Sequence, residues 1–229
     1  MKSYPIFAII DHKPCLVVGG GAVGERKVQD LRAAGARVTV VSPTLSPLLA
    51  DLVAAGEVRH LQADFAPEHL EGVALVMAAT DDPEVNAKVS AAAQARAIWV
   101  NVADAPELCT FMVPAQVRRG ELTVAISTGG ASPALARRLR EELEQQFGPE
   151  YGPYLALLKE VRGRLLAARR AHPDNPRLFG RLVASPLKEA VAQGDPSRII
   201  SLLQEILGTA LSPAALTAAV AKAFAENAG

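Results

Sequence analysis

A chain of 229 residues is long enough to bury one large core or two small ones, and half of its residues are hydrophobic. No apolar run reaches the length of a membrane span, and Asp11 interrupts the apolar stretch near the start too early for a secretory signal, so a soluble, cytoplasmic protein is expected. The formal net charge is zero, but residues 1–112 carry 9 Lys and Arg against 13 Asp and Glu, while residues 113–229 carry 15 against 11.

No basic run with interleaved aromatics supports nucleic-acid binding; a polyanionic small molecule suits the basic half better. Two cysteines and four scattered histidines, without CxxC or HxxxH spacing, argue against a disulfide framework and a preformed metal site.

Short β-rich runs alternate with helical patterns over the first hundred residues. Strands are predicted at Ile6–Ile10, Cys15–Val18, Arg37–Val41, Val58–Leu61, Ala74–Ala78 and Ile98–Val102, with helices at Gly24–Ala34, Pro47–Ala55 and Pro83–Ala95. Strands bridged by helices make βαβ units and a parallel sheet covered on both faces.

Beyond residue 112 the pattern changes. "ELTVAI" predicts a strand and "STGGAS" a loop. Ser132-Pro133 is a helix cap followed by proline at N1, starting a helix that runs to about Phe147. After the Gly/Pro hinge "GPEYGPY" everything reads helical, with further starts at Ser185-Pro186, Asp195-Pro196 and Ser212-Pro213 and stops at Gly194 and Gly208. The expected division is a dinucleotide-binding domain over 1–112, a strand-helix segment over 113–148 and a helical domain over 149–229.

Gly19, Gly21 and Gly24 form GxGxxG between a strand and a helix. They serve a tight turn, close approach to a pyrophosphate, and helix–strand packing respectively. Ala22 and Val23 begin the helix whose free N–H groups would face the phosphates. The next strand ends in Ser42-Pro43-Thr44, where a ribose-binding acid is usual. Ser42 and Thr44 can hydrogen-bond a ribose, and no Lys or Arg stands there to hold a 2′-phosphate, so NAD is favoured over NADP. Thr80-Asp81 and Asn101 close two later strands and are cofactor-edge candidates; Asp81-Asp82-Pro83 reads equally well as a helix cap with an acidic first turn. The expected fold is therefore an α/β, Rossmann-type doubly wound parallel sheet, then the small strand-helix segment, then the α-helical part.

Asp104 lies just past a strand end with no basic neighbour in sequence. The loop Ser127-Thr128-Gly129-Gly130 offers hydroxyl and N–H donors that could hold a carboxylate, or that simply cap a turn. Arg137, Arg138 and Arg140 could meet acidic substrate groups, or pair with Glu141, Glu142 and Glu144 on a solvated face.

"PIF", "CLVVGGGAVGERK", "AATDD", "NVADAPELCTF" and "ISTGGASPALARRLRE", in that order over about residues 3–147, resemble the precorrin-2 dehydrogenase family, the siroheme-synthase N-terminal module, which includes bifunctional dehydrogenase–ferrochelatases. Many members have two consecutive acids after "NV"; here Ala105 follows Asp104. The resemblance implies NAD-dependent oxidation of the tetrapyrrole precorrin-2 to sirohydrochlorin, on the way to sirohaem or cobalamin. It also implies Asp104 as the catalytic aspartate, a homodimer that exchanges residues of the 113–147 kind between its active sites, and a free-standing chain without a methyltransferase module. Ser127, Thr128, Gly129, Gly130 and Arg137 are then the substrate-binding candidates.

Three alternatives carry different expectations. Bifunctional relatives insert iron with the same cleft through a carboxylate; this chain keeps such a carboxylate but shows no metal-ligand cluster, so dehydrogenation is expected to be its main duty. A short-chain dehydrogenase would need Tyr-x-x-x-Lys, which none of the three tyrosines provides. A non-catalytic dinucleotide sensor would normally keep the acid that "SPT" lacks.

Overall fold

Five short runs, four of them largely apolar and the third the polar Arg-His-Leu, pair side by side as β1 (Pro14–Val18), β2 (Arg37–Val41), β3 (Arg59–Leu61), β4 (Leu75–Ala78) and β5 (Trp99–Val102). Every pairing is parallel and the order is 3-2-1-4-5. The computed structural model describes residues 3–225, which divide into two compact units, Ser3–Val113 and a second beginning at Pro114.

In the first unit β1 is central and buried on both faces, which is why it reads as a continuous apolar run. Cys15 and Val17 pack with Val28 and Leu31 of α1 (Ala22–Ala33) and Leu49 of α2 (Pro47–Ala54). Leu16 and Val18 face the other way, onto Val89 and Ala93 of α3 (Pro83–Gln94). Ser46 caps α2 by accepting from the Leu49 amide at 3.4 Å, and Asp82 caps α3 by accepting from Glu84 at 2.8 Å and Val85 at 3.3 Å. Proline follows each cap at N1, where its missing N–H costs no helix bond.

The strand expected at Ile6–Ile10 does not form. That run has no partner ladder; Ile6, Phe7 and Ile9 are exposed, and the chain turns through His12 (φ 55°) before β1 begins.

The second unit opens with a hairpin rather than a single strand. The polar-looking run Ala115–Arg119 forms β6, antiparallel to β7 (Leu122–Ile126). Only Val117 of the pair is buried, so β6 lacks the apolar density that a strand usually advertises. Helix α4 (Pro133–Gln146), capped by Ser132 on the Leu135 amide at 3.2 Å, has no buried residue, and Leu135 is 47% exposed. A core of its own gathers residues of α5 (Tyr151–Ala168), α6 (Asn175–Val183), α7 (Leu187–Ala192), α8 (Pro196–Leu207) and α9 (Pro213–Ala225) around Leu157, Leu165, Leu203 and Leu216. Asp195 and Ser212 cap α8 and α9 as expected. At Ser185 the start is displaced by one residue: Pro186 takes the cap position, and Ser185 bridges from the Leu182 carbonyl to the Leu187 amide.

Candidate functional site

The strand order reverses between β1 and β4, and at that switch point the carboxyl ends of the strands open a cleft where ligands of such sheets lie. Three loops meet there: the glycine loop after β1, the loop between β4 and α3, and the turn after β5. A cavity of about 410 Å³ is lined by Val23, Thr80, Asp81, Asn86, Asp104 and Glu107, among others. That volume is typical of a small-molecule site.

Gly19 adopts φ 114°, and a Cβ there would collide with the Ala79 carbonyl just past β4. A Cβ on Gly24 would collide with the Gly19 carbonyl, so α1 can sit this close to β1 only with glycine. Gly21 differs: it is the N-cap of α1, at φ −83° and ψ −172°, and a Cβ there would meet no atom within 4 Å. The protein itself does not require glycine at this position. The Ala22, Val23 and Gly24 amides have no carbonyl within α1 to donate to, the first such bond being Glu25 to Gly21 at 2.9 Å. Open space over Gly21, beside helix-start N–H groups without a partner within α1, fits a dinucleotide pyrophosphate.

Gly20, which the fingerprint ignores, also needs to be glycine, because a Cβ would strike the Thr44 carbonyl. The loop after β2 therefore folds back onto the glycine loop, and Ser46 locks the contact. Its amide donates to the Gly20 carbonyl at 2.8 Å and its hydroxyl to the Glu25 carboxylate at 2.7 Å. Ser42 is buried, whereas Pro43 and Thr44 are exposed, so Thr44 is the better placed of the two hydroxyls for a ribose. At the sheet edge His60 Nε2 lies 2.9 Å from the Ser42 carbonyl, and Gln62 donates to that of Pro43 at 3.3 Å.

Thr80 is held by a buried side chain that the sequence reading overlooked. Asn86 donates to the Thr80 carbonyl at 2.9 Å and accepts from its hydroxyl at 2.9 Å and its amide at 3.3 Å. Asp82 takes the helix cap, which leaves Asp81 exposed at the cleft. Asn101 is turned elsewhere: its amide donates to the Phe111 carbonyl at 3.1 Å, and it does not line the cleft.

Asp104 is exposed at the cleft in the left-handed region, φ 59°, a conformation that Asp and Asn tolerate better than other side chains. Among the described residues its carboxylate accepts no hydrogen bond, and the short turn Pro106–Leu108 has no side-chain cap, so Asp104 does not serve as the turn's cap. Glu107, which had no sequence signal, adds a further carboxylate to the lining.

The second-unit candidates engage one another. Ser127 Oγ accepts from the Gly129 amide at 3.1 Å, and Thr128 Oγ1 donates to the Ser132 carbonyl at 3.1 Å. Gly129 and Gly130 take φ 62° and 83°. Arg137 pairs with Glu141 at 2.9 Å, Arg138 with Glu142 at 2.8 Å and Arg140 with Glu144 at 2.6 Å, the solvated ladder that i,i+4 spacing allows. Among the described residues there is no cluster of His, Cys, Asp and Glu fit to hold a metal ion, and no helix long and apolar enough to cross a membrane.

Fold and cleft together define a dinucleotide-binding protein of the Rossmann class. A family model for NAD(P)-binding proteins matches residues 6–115, and one for the central part of sirohaem biosynthesis proteins matches residues 119–146. The chain is 54% identical over 162 residues to siroheme synthase of Methylobacillus flagellatus, covering 71% of this chain and 35% of that one. It is 45% identical over 196 residues to siroheme synthase 1 of Aeromonas salmonicida, covering 85% and 42%. The chain thus spans well under half the length of these curated relatives. Among solved structures it resembles SirC, precorrin-2 dehydrogenase, with a TM-score of 0.73 and 28% identity, over 89% of this chain and 98% of that one. The chain is thus similar to siroheme synthases over part of their length, and its fold matches that of a precorrin-2 dehydrogenase.

Proposed function

We propose that this chain oxidises precorrin-2 to sirohydrochlorin with NAD as hydride acceptor. The observation that carries the reading is the meeting, in one cleft, of a phosphate-ready helix start and an exposed, unpaired carboxylate at Asp104. When bound, the dinucleotide supplies the oxidant. The protein binds and orients: Gly21 leaves room for the pyrophosphate, the Ala22 and Val23 amides donate to it, and Asn86 holds Thr80 rigid at the cleft wall. Asp104 accepts the proton that the macrocycle loses as hydride leaves. Asp81, Asp104 and Glu107 make the lining acidic, which suits the cationic ring of an oxidised nicotinamide better than the neutral reduced one. The loop after β2 offers Thr44 and no cation, which favours NAD over NADP.

In the second unit the 127–130 loop and Arg137 are read as the cradle for substrate carboxylates. Substrate must then displace Glu141 from Arg137, an exchange of exposed ion pairs that costs little. The exposed apolar side of α4 and the thinly buried hairpin support a homodimer in which the 113–147 segment finds its cover on a second copy. Purified protein mixed with precorrin-2 and NAD should develop sirohydrochlorin absorbance, and NADP should serve at least tenfold less well in kcat/KM. Absence of NAD-dependent product would refute the reading.

A further inference from the structure

The turn that carries Asp104 is closed by one side chain. Cys109 Sγ accepts from the Val102 amide at 3.1 Å and has the Val102 and Ala105 carbonyls each at 3.4 Å as acceptors for its single proton. The sulfur therefore touches the chain immediately before and immediately after Ala103-Asp104. Among the described residues the turn's loop backbone ties are the Ala103 amide to the Ala78 carbonyl at 2.9 Å and the Leu108 amide to the Ala105 carbonyl at 3.1 Å. Asp104 sits at the apex with φ 59°, and nothing among the described residues grips its carboxylate. A left-handed, non-glycine residue persists only where its surroundings impose it. Here the thiol is the side chain that ties both flanks of the turn.

The neighbours of Cys109 have a different task. Thr110 pairs with β5 through its amide to the Val100 carbonyl at 2.8 Å and its hydroxyl from the Val100 amide at 2.9 Å, which covers the open edge of the sheet. Ser90 of α3 donates to the Leu108 carbonyl at 2.7 Å. Those bonds anchor the segment; of these side chains only the Cys109 sulfur reaches the turn itself, alongside the Leu108 amide on the Ala105 carbonyl.

We propose that Cys109 is a positioning residue, holding Asp104 in the left-handed turn that aims its carboxylate into the cleft. This rests on the reading of Asp104 as the proton acceptor. The role calls for a side chain that donates and accepts at the long reach of sulfur. Serine keeps both capacities on a shorter arm, and alanine keeps neither.

The test compares Cys109→Ala, Cys109→Ser, Thr110→Val and Asp104→Asn in precorrin-2 turnover. It adds two readouts on the unliganded protein: hydrogen exchange of the Val102 amide and the Asp104 backbone coupling constant, which reports φ. Cys109→Ala should lower kcat about 10- to 100-fold, the scale of a small misplacement of a reacting group, with KM for NAD within about threefold. Cys109→Ser should recover most of that loss. Thr110→Val should lower the melting temperature and leave kcat near wild type. In Cys109→Ala the Val102 amide should exchange faster and the Asp104 coupling should move toward an averaged value; in Cys109→Ser both should stay close to wild type.

Equal melting losses in Cys109→Ala and Thr110→Val, with wild-type kcat in both, would overturn the proposal and leave Cys109 as an edge clasp. So would an unchanged Asp104 coupling in Cys109→Ala. If Asp104→Asn keeps its rate, the proton-acceptor reading fails, and the coupling constant still decides whether the thiol shapes the turn.

Discussion

Gly21 and Gly24 look alike in the fingerprint and should behave oppositely when changed. Over Gly21 there is open space, and aspartate is a better helix N-cap than glycine. Gly21→Asp should therefore keep its circular dichroism spectrum and melting temperature while losing NAD binding, measurable by calorimetry. Gly24→Ala places a methyl group against the Gly19 carbonyl and should lose about 1–3 kcal/mol of stability in denaturant unfolding, a cost typical of overpacking. Weak NAD binding by folded Gly21→Asp and wild-type stability of Gly24→Ala are separate outcomes; only the second would contradict the packing account. Cys15 also separates burial from chemistry. It is 1% exposed in the central strand, and burial pushes its thiol from 9.0 up to about 11. A raised pKa means that the folded state holds its proton where the unfolded chain has released it. The stabilisation is complete below pH 9 and is lost as pH rises toward 11, at up to about 1.4 kcal/mol per pH unit. Cys15→Ala should melt lower at neutral pH and lose this alkaline slope in pH-dependent unfolding.

The elements that were legible in sequence are those decided by neighbours a few residues away. Ser46, Asp82, Ser132, Asp195 and Ser212 each cap a helix within three residues of themselves, and the glycine loop is contiguous with the strand and helix it joins. Ile6–Ile10 looked like a strand because apolar density signals burial, yet a strand also needs a partner's ladder, which no local pattern encodes. β6 was missed for the converse reason, since its partner β7 supplies the ladder while its own side chains stay largely exposed. Around the cleft, Asn86 and Cys109 act on main-chain groups several residues away across a turn, and Gly20 answers to the Thr44 carbonyl of another loop. Such contacts become readable only once β1, β2, β4 and β5 stand side by side. Asn101 was misplaced by the same blindness: its position at a strand end was right, and the direction of its amide was set by the 109–111 segment.

At the scale of the whole molecule, a 14-residue helix without one buried residue and a hairpin with one leave the opening segment of the second unit short of cover. The proposed homodimer would supply it, so sedimentation should give about twice the 24.1 kDa of one chain, and a fully active monomer at nanomolar concentration would contradict this. On the proposed reading, Asp104 is the point at which dinucleotide, tetrapyrrole and protein would act together. Asparagine keeps its size and its tolerance of the left-handed turn and removes only its basicity. The decisive measurement is kcat for precorrin-2 oxidation by Asp104→Asn, taken beside its NAD affinity. The account predicts a fall of about 10²- to 10⁴-fold, the usual worth of general-base catalysis, with NAD binding within about threefold of wild type; a variant that retains more than about a tenth of the wild-type kcat would contradict it.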